Sequence, residues 1–270
     1  MPELPEVETI VRGLSPALAG AAIRRADVLR PDLVAGDADA FAHRVAGSPV
    51  QGVTRRAKNI VIDLGPDVLV VNLGMTGRLM LAAGAAPLPS HLGVSFELSD
   101  GRRLLYQDVR RFGRLEVLPR ERWEARSSEM GIEPLDRAFD GSLLHRLTRG
   151  SRSPVKPWLM DQHRVVGVGN IYASEALHRA GINPKRSAGS LSHRRADRLA
   201  AAVREVLAEA IEFRGTTLLD YRDASGRRGR FAERLRVYDR EGEPCRRCDR
   251  PVRRIIQSGR STFYCTGCQR

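Results

Sequence analysis

The chain has 270 residues, 42% of them hydrophobic, which is enough for two domains with buried cores and too apolar for a disordered tail. A net charge of +13 with a pI near 10.6 points to a polyanionic partner whose binding weakens steeply with salt. No run approaches a membrane span, and the acidic, proline-bearing start is not a signal peptide, so a soluble cytoplasmic protein is expected.

The chain opens Met1-Pro2-Glu3-Leu4-Pro5-Glu6. Removal of Met1 before a small residue leaves Pro2 with a free secondary amine, able to attack a sugar carbon and form a cationic imine. Glu3, one residue on, can move the protons. The competing reading is that Pro2 only resists aminopeptidases and Pro5 opens a helix at a position needing no amide donor. Val7, Ile10, Val11 and Leu14 lie on one face of that helix.

Short strand-like runs follow: Ile60-Val61-Ile62, Val68 to Val71, Leu79-Met80-Leu81, Val94 to Leu98, Leu104-Leu105-Tyr106 and Leu115 to Leu118. Asp100-Gly101 between two of them signals a two-residue hairpin. Residues 20–120 therefore read as a mostly antiparallel β-sandwich. Residues 131–136 look like a linker, after which the pattern turns helical. Leu143, Leu144 and Leu147 mark one helix. A longer one, from about Ser192 to Phe213, carries Leu199, Val203, Val206, Leu207 and Ile211 and stops at Gly215. Residues 215–235, with Gly226, Gly229 and several arginines, suggest a mobile basic loop.

All four cysteines fall at the C-terminal end, as Cys245-x-x-Cys248 and Cys265-x-x-Cys268 with sixteen residues between the pairs. Two such knuckles bring four thiolates into the closed tetrahedron of one structural Zn2+ site; two disulfides are the alternative, which a cytosolic redox poise disfavours. A closed site holds shape and performs no catalysis. Arg246, Arg247, Arg250, Arg253, Arg254 and Arg260 around the knuckles suit phosphates. Only three of the 45 basic residues are lysines (Lys58, Lys156 and Lys185), so a titratable side-chain amine has few candidates. In the stretch Asp161 to Leu177, Gly167 and Gly169 break one helix into a turn and Asn170 can cap the next. Exposed amides at such a helix start suit a phosphate, although an ordinary glycine-bearing turn reads the same way.

The opening Met-Pro-Glu-Leu-Pro-Glu-Val-Glu-Thr, Arg55-Arg56-Ala57-Lys58, Leu73-Gly74-Met75, Arg110-Arg111-Phe112-Gly113, Lys156 to Asp161, Gly169-Asn170-Ile171-Tyr172 and Gly259 to Cys265 occur in one order from first residue to last. In that order they resemble the formamidopyrimidine-DNA glycosylase family. The resemblance implies an α+β fold: an N-terminal antiparallel β-sandwich with flanking helices (residues 1–133), a helix–two-turn–helix module (134–236) and a four-cysteine zinc finger (237–270), with double-stranded DNA in the cleft between. It implies a bifunctional glycosylase and abasic-site lyase that excises 8-oxoguanine and formamidopyrimidines and cuts the strand by β,δ-elimination. In this chain Pro2 matches the nucleophile at C1′, Glu3 the proton shuttle, Lys58 a proton donor in strand cleavage and Arg260 the arginine of phosphate binding and the second elimination. Met75 and Phe112 match wedges that fill the gap left by a flipped nucleotide, and Arg110 the residue facing the orphaned cytosine. His91, Arg111, Arg152, Lys156 and Asn170 complete the expected DNA contacts. Glu6 keeps a helix-start role.

The chain departs from the family pattern at Asn72, Gly93, Val109 and Arg214, where relatives often carry His, His, Pro and Gly. These put individual phosphate contacts and the shape of the 215–235 loop in question. Two other readings stay open: an endonuclease VIII-like enzyme for oxidised pyrimidines, and a non-catalytic zinc-dependent DNA-binding protein. A monomer, associated with the nucleoid through its DNA binding, is expected.

Overall fold

In the first segment of the chain the apolar stripe is the organising element. Leu4, Val7, Ile10, Val11, Leu14 and Leu18 are all buried along helix α1 (Leu4–Leu18), which starts on Pro5 at its first turn. At about 1.5–3 kcal/mol per large apolar side chain, this face fixes the helix far more firmly than propensity does. The computed structural model describes residues 2–218 and 221–270. They form two compact units, one of residues 2–129 with Phe213–Arg230, the other Met130–Glu212 with Phe231–Arg270.

The first unit is built on eight strands: β1 (Ile23–Val28), β2 (Gly52–Arg56), β3 (Asn59–Asp63), β4 (Asp67–Asn72), β5 (Gly77–Ala82), β6 (Leu92–Leu98), β7 (Arg103–Asp108) and β8 (Arg114–Pro119). Two antiparallel four-stranded sheets result, in the orders β1-β6-β7-β5 and β2-β3-β4-β8. Ile60 and Ile62 of β3 and Leu69 and Val71 of β4 point to one core with Val94, Phe96, Leu104 and Tyr106 of the other sheet and the apolar face of α1. The alternate residues Val61, Val68 and Val70 are buried too, where α3 (Arg120–Ser128) packs on the outer side of β4 and β8. That double burial explains why these strands read as unbroken apolar runs.

Besides the long link from β1 to β2, two short connections pass from sheet to sheet. Residues 73–76 join β4 to β5, and residues 109–113 join β7 to β8. Gly77 pairs with Asp108 in one sheet, and Asn72 pairs with Arg114 in the other. Both crossings therefore leave and arrive at paired positions and run side by side.

The sandwich is less purely β than expected. Helix α2 (Ala38–Val45) interrupts residues 20–120, capped by Asp37, whose side chain accepts from the Ala40 amide, and anchored by buried Phe41 and Val45. The β6–β7 hairpin turns through residues 99–102 rather than two residues, with Gly101 at φ 83°. Gly93 forms a bulge in β6, and a Cβ there would run into Leu33. The side chain of Leu33 thus occupies the space of the histidine expected at that position.

The second unit holds α4 (Gly141–Thr148), α5 (Val155–Leu159), α6 (Asn170–Ala180) and α7 (His193–Glu212), then the hairpin of β9 (Arg253–Gln257) and β10 (Arg260–Tyr264). The predicted face of α7, Leu199, Val203, Val206, Leu207 and Ile211, is buried. Gly169, not Asn170, is the N-cap of α6; Asn170 is its first helical residue, which releases its side chain for another partner.

The expected basic loop at 215–235 is anchored through its described residues; 219 and 220 lie outside them. Tyr221 and Ala224 enter the core of the first unit. Asp223, buried, accepts from the amides of Ser225 and Arg227, each at 2.9 Å. Arg214 adopts φ 59° directly before Gly215 at φ 77°. A left-handed non-glycine residue costs about 1–2 kcal/mol, and glycine returns part of that as lost unfolded-state entropy. Arg214→Gly is therefore expected to raise thermal stability by about 0.5–1 kcal/mol, read as a small upward shift of the melting midpoint in calorimetry.

Candidate active site and nucleic-acid interface

The N-terminus is held by one buried carboxylate. Glu6 Oε2 accepts the Glu3 amide at 2.7 Å, and Glu6 Oε1 accepts the Thr216 amide at 2.7 Å. The Tyr221 hydroxyl donates to the Glu6 carbonyl at 3.3 Å. Pro2, Glu3 and Glu6 are all buried. Gly215 is required here, because a Cβ would come within 2.6 Å of Glu6 Oε1. Glu6 thus does more than oppose a helix dipole. It ties the start of α1 to the segment after α7. The signal was present in the sequence, since a glutamate three residues after the N-cap is the return half of a capping box. Met1, whose removal frees the Pro2 amine, lies outside the described residues.

Lys58 sits in the two-residue turn between β2 and β3, half-buried. Ala57 before it has φ 56° and is itself buried. Arg55 grips this turn from behind: Nη1 donates to the Ala57 carbonyl at 2.9 Å and Nε to Glu8 Oε2 at 3.0 Å. Glu8 lies on α1, so a chain of two polar contacts fixes the lysine turn against the helix that carries the N-terminus. Burial alone would raise the Glu8 carboxyl, but hydrogen bonds from Arg12 and Arg55 outweigh it and hold the group below its usual range.

The two short sheet-to-sheet connections bring the expected wedges together. Met75 is on one, Arg110 and Phe112 on the other; Met75 and Phe112 are exposed, 38% and 59%. The Arg110 guanidinium lies 4.7 Å from the centre of the Phe112 ring. Exposed apolar side chains of this size are available to a partner rather than to a core. Arg111, at φ 55°, pairs with Asp32 at 3.3 Å, an exposed ion pair that a phosphate can displace at little cost. His91 is exposed at φ 56°, and its carbonyl accepts the Asp108 amide at 3.1 Å. Asn72, in place of histidine, accepts the Gly74 amide at 3.0 Å and donates to Asn59 at 2.9 Å, so it shapes the Met75 connection.

In the second unit Lys156 is buried, and its ammonium donates to Asn170 Oδ1 (2.5 Å), Thr262 Oγ1 (2.8 Å) and the Ser261 carbonyl (3.0 Å). Three acceptors satisfy three donors, which is what a buried ammonium requires. Lys156 joins α5, the start of α6 and β10, and it orients Asn170. Arg260 opens β10 after the Ser258-Gly259 turn, both at positive φ, and is exposed. With Lys156, Pro157, Met160, Asp161, Gln257 and Ser258 it lines a recess of about 200 Å³. Arg152 is exposed, just after α4. Glu175, unremarked in the sequence, is buried and accepts the amides of Arg236, Val237 and Tyr238 at 2.8–2.9 Å, fixing where the cysteine segment begins.

The four cysteine sulfurs lie within 4.8 Å of one another. Four thiolates about 2.3 Å from one zinc stand about 3.8 Å apart. Cys245 and Cys268 are 3.8 Å apart, and Cys248 and Cys265 3.3 Å. Without a cation the Cys268 thiol is pushed up to about 12, by burial first and then by its thiol neighbours, a cost that a divalent cation reverses. The residues fit one tetrahedral zinc. When bound, it supplies a structural cross-link. His178 Nε2 is 3.4 Å from Cys245 Sγ, and burial, then the surrounding arginines, lower its pKa to about 4.

A family model described as the formamidopyrimidine-DNA glycosylase N-terminal domain matches residues 1–115. Models for the H2TH domain of the same glycosylase and for a zinc finger found in FPG and IleRS match 130–221 and 242–270. The chain is 48% identical over 284 residues to a formamidopyrimidine-DNA glycosylase of Cereibacter sphaeroides, all of both chains being covered. It is 46% identical over 288 residues to that of Beijerinckia indica, again over both full lengths. Among solved structures it is similar to a Lactococcus lactis Fpg variant in complex with Fapy-dG-containing DNA (TM-score 0.93, 32% identity, 100% of both chains). It is similar also to the Lactococcus lactis protein with abasic-site DNA (TM-score 0.92, 31% identity, 99% of both chains).

Two outcomes follow from the geometry. Metal analysis is expected to find one zinc per chain, and its chelation should expose the finger to proteolysis, because the buried cluster of Val237, Cys245, Val252, Phe263 and Cys265 is too small to hold alone. The lowered folded-state pKa of Glu8 adds stability above its unfolded value and loses it as pH falls through the folded one. The stability gap between wild type and Glu8→Gln, measured by urea titration, should therefore be present at pH 7 and close below about pH 4.

Proposed function

The chain belongs to the formamidopyrimidine-DNA glycosylase family, and from that premise we propose that it is a DNA glycosylase and abasic-site lyase of base excision repair that removes oxidised purines, with Pro2 as its nucleophile. Once Met1 is gone, the Pro2 nitrogen attacks C1′ of a flipped nucleotide and the C1′–base bond breaks, the base leaving with a proton. The amine loses its proton, the sugar ring opens and a cationic imine remains between Pro2 and C1′. That imine makes the 2′ proton acidic; its removal expels the 3′ phosphate, and a second elimination expels the 5′ phosphate. Glu3 moves protons at the sugar, and Lys58 donates during strand cleavage. Met75 and Phe112 fill the gap while Arg110 faces the orphaned base; His91, Arg111, Arg152, Asn170 and Arg260 take phosphates. Lys156 acts through Asn170, whose Oδ1 it holds.

The observation that carries this reading is the clamped N-terminus. Glu6 accepts the Glu3 amide at 2.7 Å, which fixes a would-be nucleophile and its neighbouring carboxylate, the N-cap, directly before the first turn of a buried helix. An amine that only resisted aminopeptidases would need no such support. Preorganisation of reacting groups is worth several orders of magnitude in rate.

Borohydride added to the protein with duplex containing 8-oxoguanine should trap a covalent adduct that peptide mapping places at Pro2, and intact mass should show Met1 absent. A chain that retains Met1, or an adduct at another residue, would overturn the mechanism. Glu3→Gln is expected to lower excision by about 10²-fold or more, as for loss of a general acid–base group, with DNA binding kept. A Lactococcus lactis relative has also been solved with oxidised-pyrimidine DNA. Competition between purine and pyrimidine lesions in one reaction therefore decides the substrate class; preference for the pyrimidine would reverse the assignment.

A further inference from the structure

The two connections that carry Met75, Arg110 and Phe112 share one buried carboxylate. Asp108 is 2% exposed, and every partner it has around its side chain is a donor. Its Oδ1 accepts the Thr76 hydroxyl at 2.6 Å and the Arg110 amide at 3.3 Å. Its Oδ2 accepts the Gly113 amide at 2.8 Å and the Tyr106 hydroxyl at 3.4 Å. Thr76 belongs to the Met75 connection, and Arg110 and Gly113 bracket the Phe112 connection. A further bond closes the triangle, since the Arg110 amide also reaches Thr76 Oγ1 at 3.0 Å.

The packing leaves these connections no room to come closer. A Cβ on Gly74 would overlap the Phe112–Gly113 peptide, with Phe112 O at 2.6 Å. A Cβ on Gly77 would stand 2.8 Å from the Tyr106 hydroxyl, and one on Gly113 would collide with that hydroxyl and lie 2.8 Å from the Asn72 carbonyl. The glycines of Leu73-Gly74-Met75 and Arg110-Arg111-Phe112-Gly113 therefore exist so that two backbones can touch.

We propose that Asp108 is a positioning residue, an acceptor-only pin that fixes the Met75 and Arg110–Phe112 connections as a single rigid wedge and so sets nucleotide extrusion and discrimination of the opposite base. This rests on the reading of those three side chains as gap fillers. The energetic reason is simple. A wedge must unstack a base step, and any slack in its mounting is entropy lost on insertion. A pin that must accept four hydrogen bonds also has a sharp chemical signature. Asparagine has the same shape, but its amide NH2 faces a fixed N–H donor whichever way it is turned, that of Arg110 or that of Gly113, since only the two hydroxyls can rotate to accept.

The experiment uses the full-length, zinc-loaded protein with Asp108→Asn, Thr76→Val and Met75→Ala. Three readouts are taken: 2-aminopurine fluorescence beside the lesion, the ratio of excision opposite C to excision opposite A, and borohydride trapping on single-stranded abasic DNA, which needs no wedge. For Asp108→Asn, the opposite-base ratio should fall by about tenfold or more and the fluorescence change should shrink, from unsatisfied buried donors. Trapping on single strands should stay within about twofold of wild type, since the chemistry at Pro2 is untouched. Thr76→Val, which removes one donor of four, should move the same two readouts by about threefold and serves if the asparagine variant does not fold. An unchanged ratio and fluorescence in Asp108→Asn, with Met75→Ala defective in both, would overturn the pin alone. If Met75→Ala is also unchanged, the wedge reading falls and the pin with it. Parallel loss of all three readouts in a folded Thr76→Val protein would make Asp108 merely structural and reject the proposal.

Discussion

Four segments of this protein are tied down by buried carboxylates accepting backbone amides. Glu6 takes the amides of Glu3 and Thr216. Asp108 takes those of Arg110 and Gly113, Asp223 those of Ser225 and Arg227, and Glu175 three in succession at 236–238. In a chain of net charge +13 this is an economical choice. Anions are placed inside, against N–H groups, while most of the cations, buried Lys156 apart, stay on the surface to meet phosphate. A buried carboxylate costs several kcal/mol in desolvation, yet each charge-assisted bond returns about 1.5–3 kcal/mol. Two or three amides on one carboxylate therefore come close to balance, and what remains is geometry: the loop can adopt one shape only. Burial raises Glu175 while its three amides pull the other way.

Backbone strain follows the same map. Non-glycine residues at positive φ include Ala57 beside Lys58, His91, Arg111 between Arg110 and Phe112, and Ser258 two residues before Arg260. Each costs about 1–3 kcal/mol and persists only where the surroundings over-determine it. Around Ala57 the surroundings are the Arg55 guanidinium on its carbonyl; around Arg111 they are the Asp108 pin and the packed glycines. At Arg111 strain and buried carboxylate occur together because Asp108 holds the amides on both sides of it.

The parts legible in the sequence are those where burial is periodic or a motif is short and covalent. β3 to β8 announced themselves as apolar runs, α7 as a helical stripe, and the cysteine pairs as a metal site. β1 did not, because a register shift between Ile23 and Arg25 breaks its alternation. β2 buries little beyond Val53, and α3 buries only Trp123 among nine mostly polar residues. α2 carried a readable signal, Asp37 ahead of Phe41 and Val45, hidden inside a stretch that looked like sheet. Within the site, the residues a motif names could be located, but not what holds them. Glu6, Glu8, Asp108 and Glu175 act through contacts 2 to 210 residues away along the chain; the Glu3–Glu6 capping box is a local pattern, and the longer contacts have none. The departures Asn72 and Gly93 became intelligible only with their neighbours, Gly74 and Leu33, in view.

The scarcity of lysine sharpens the chemical argument. Arginine stays charged and binds phosphate with a fork, so it suits a surface whose task is to hold DNA. An amine that must give or take protons has to be a lysine or a chain terminus. Of the three lysines, Lys156 spends its ammonium on Asn170, Thr262 and Ser261, and Lys185 stands 5.6 Å over the Tyr264 ring. Both have structural posts in the second unit. Lys58 alone sits in a hairpin turn of the first unit, gripped through the Ala57 carbonyl and, by way of Arg55 and Glu8, referred to the helix that begins at Pro2. Proton traffic in the proposed eliminations thus falls to a side chain mounted on the same compact unit as the nucleophile. The arginine-rich remainder of the surface can then bind a polyanion without competing for that proton.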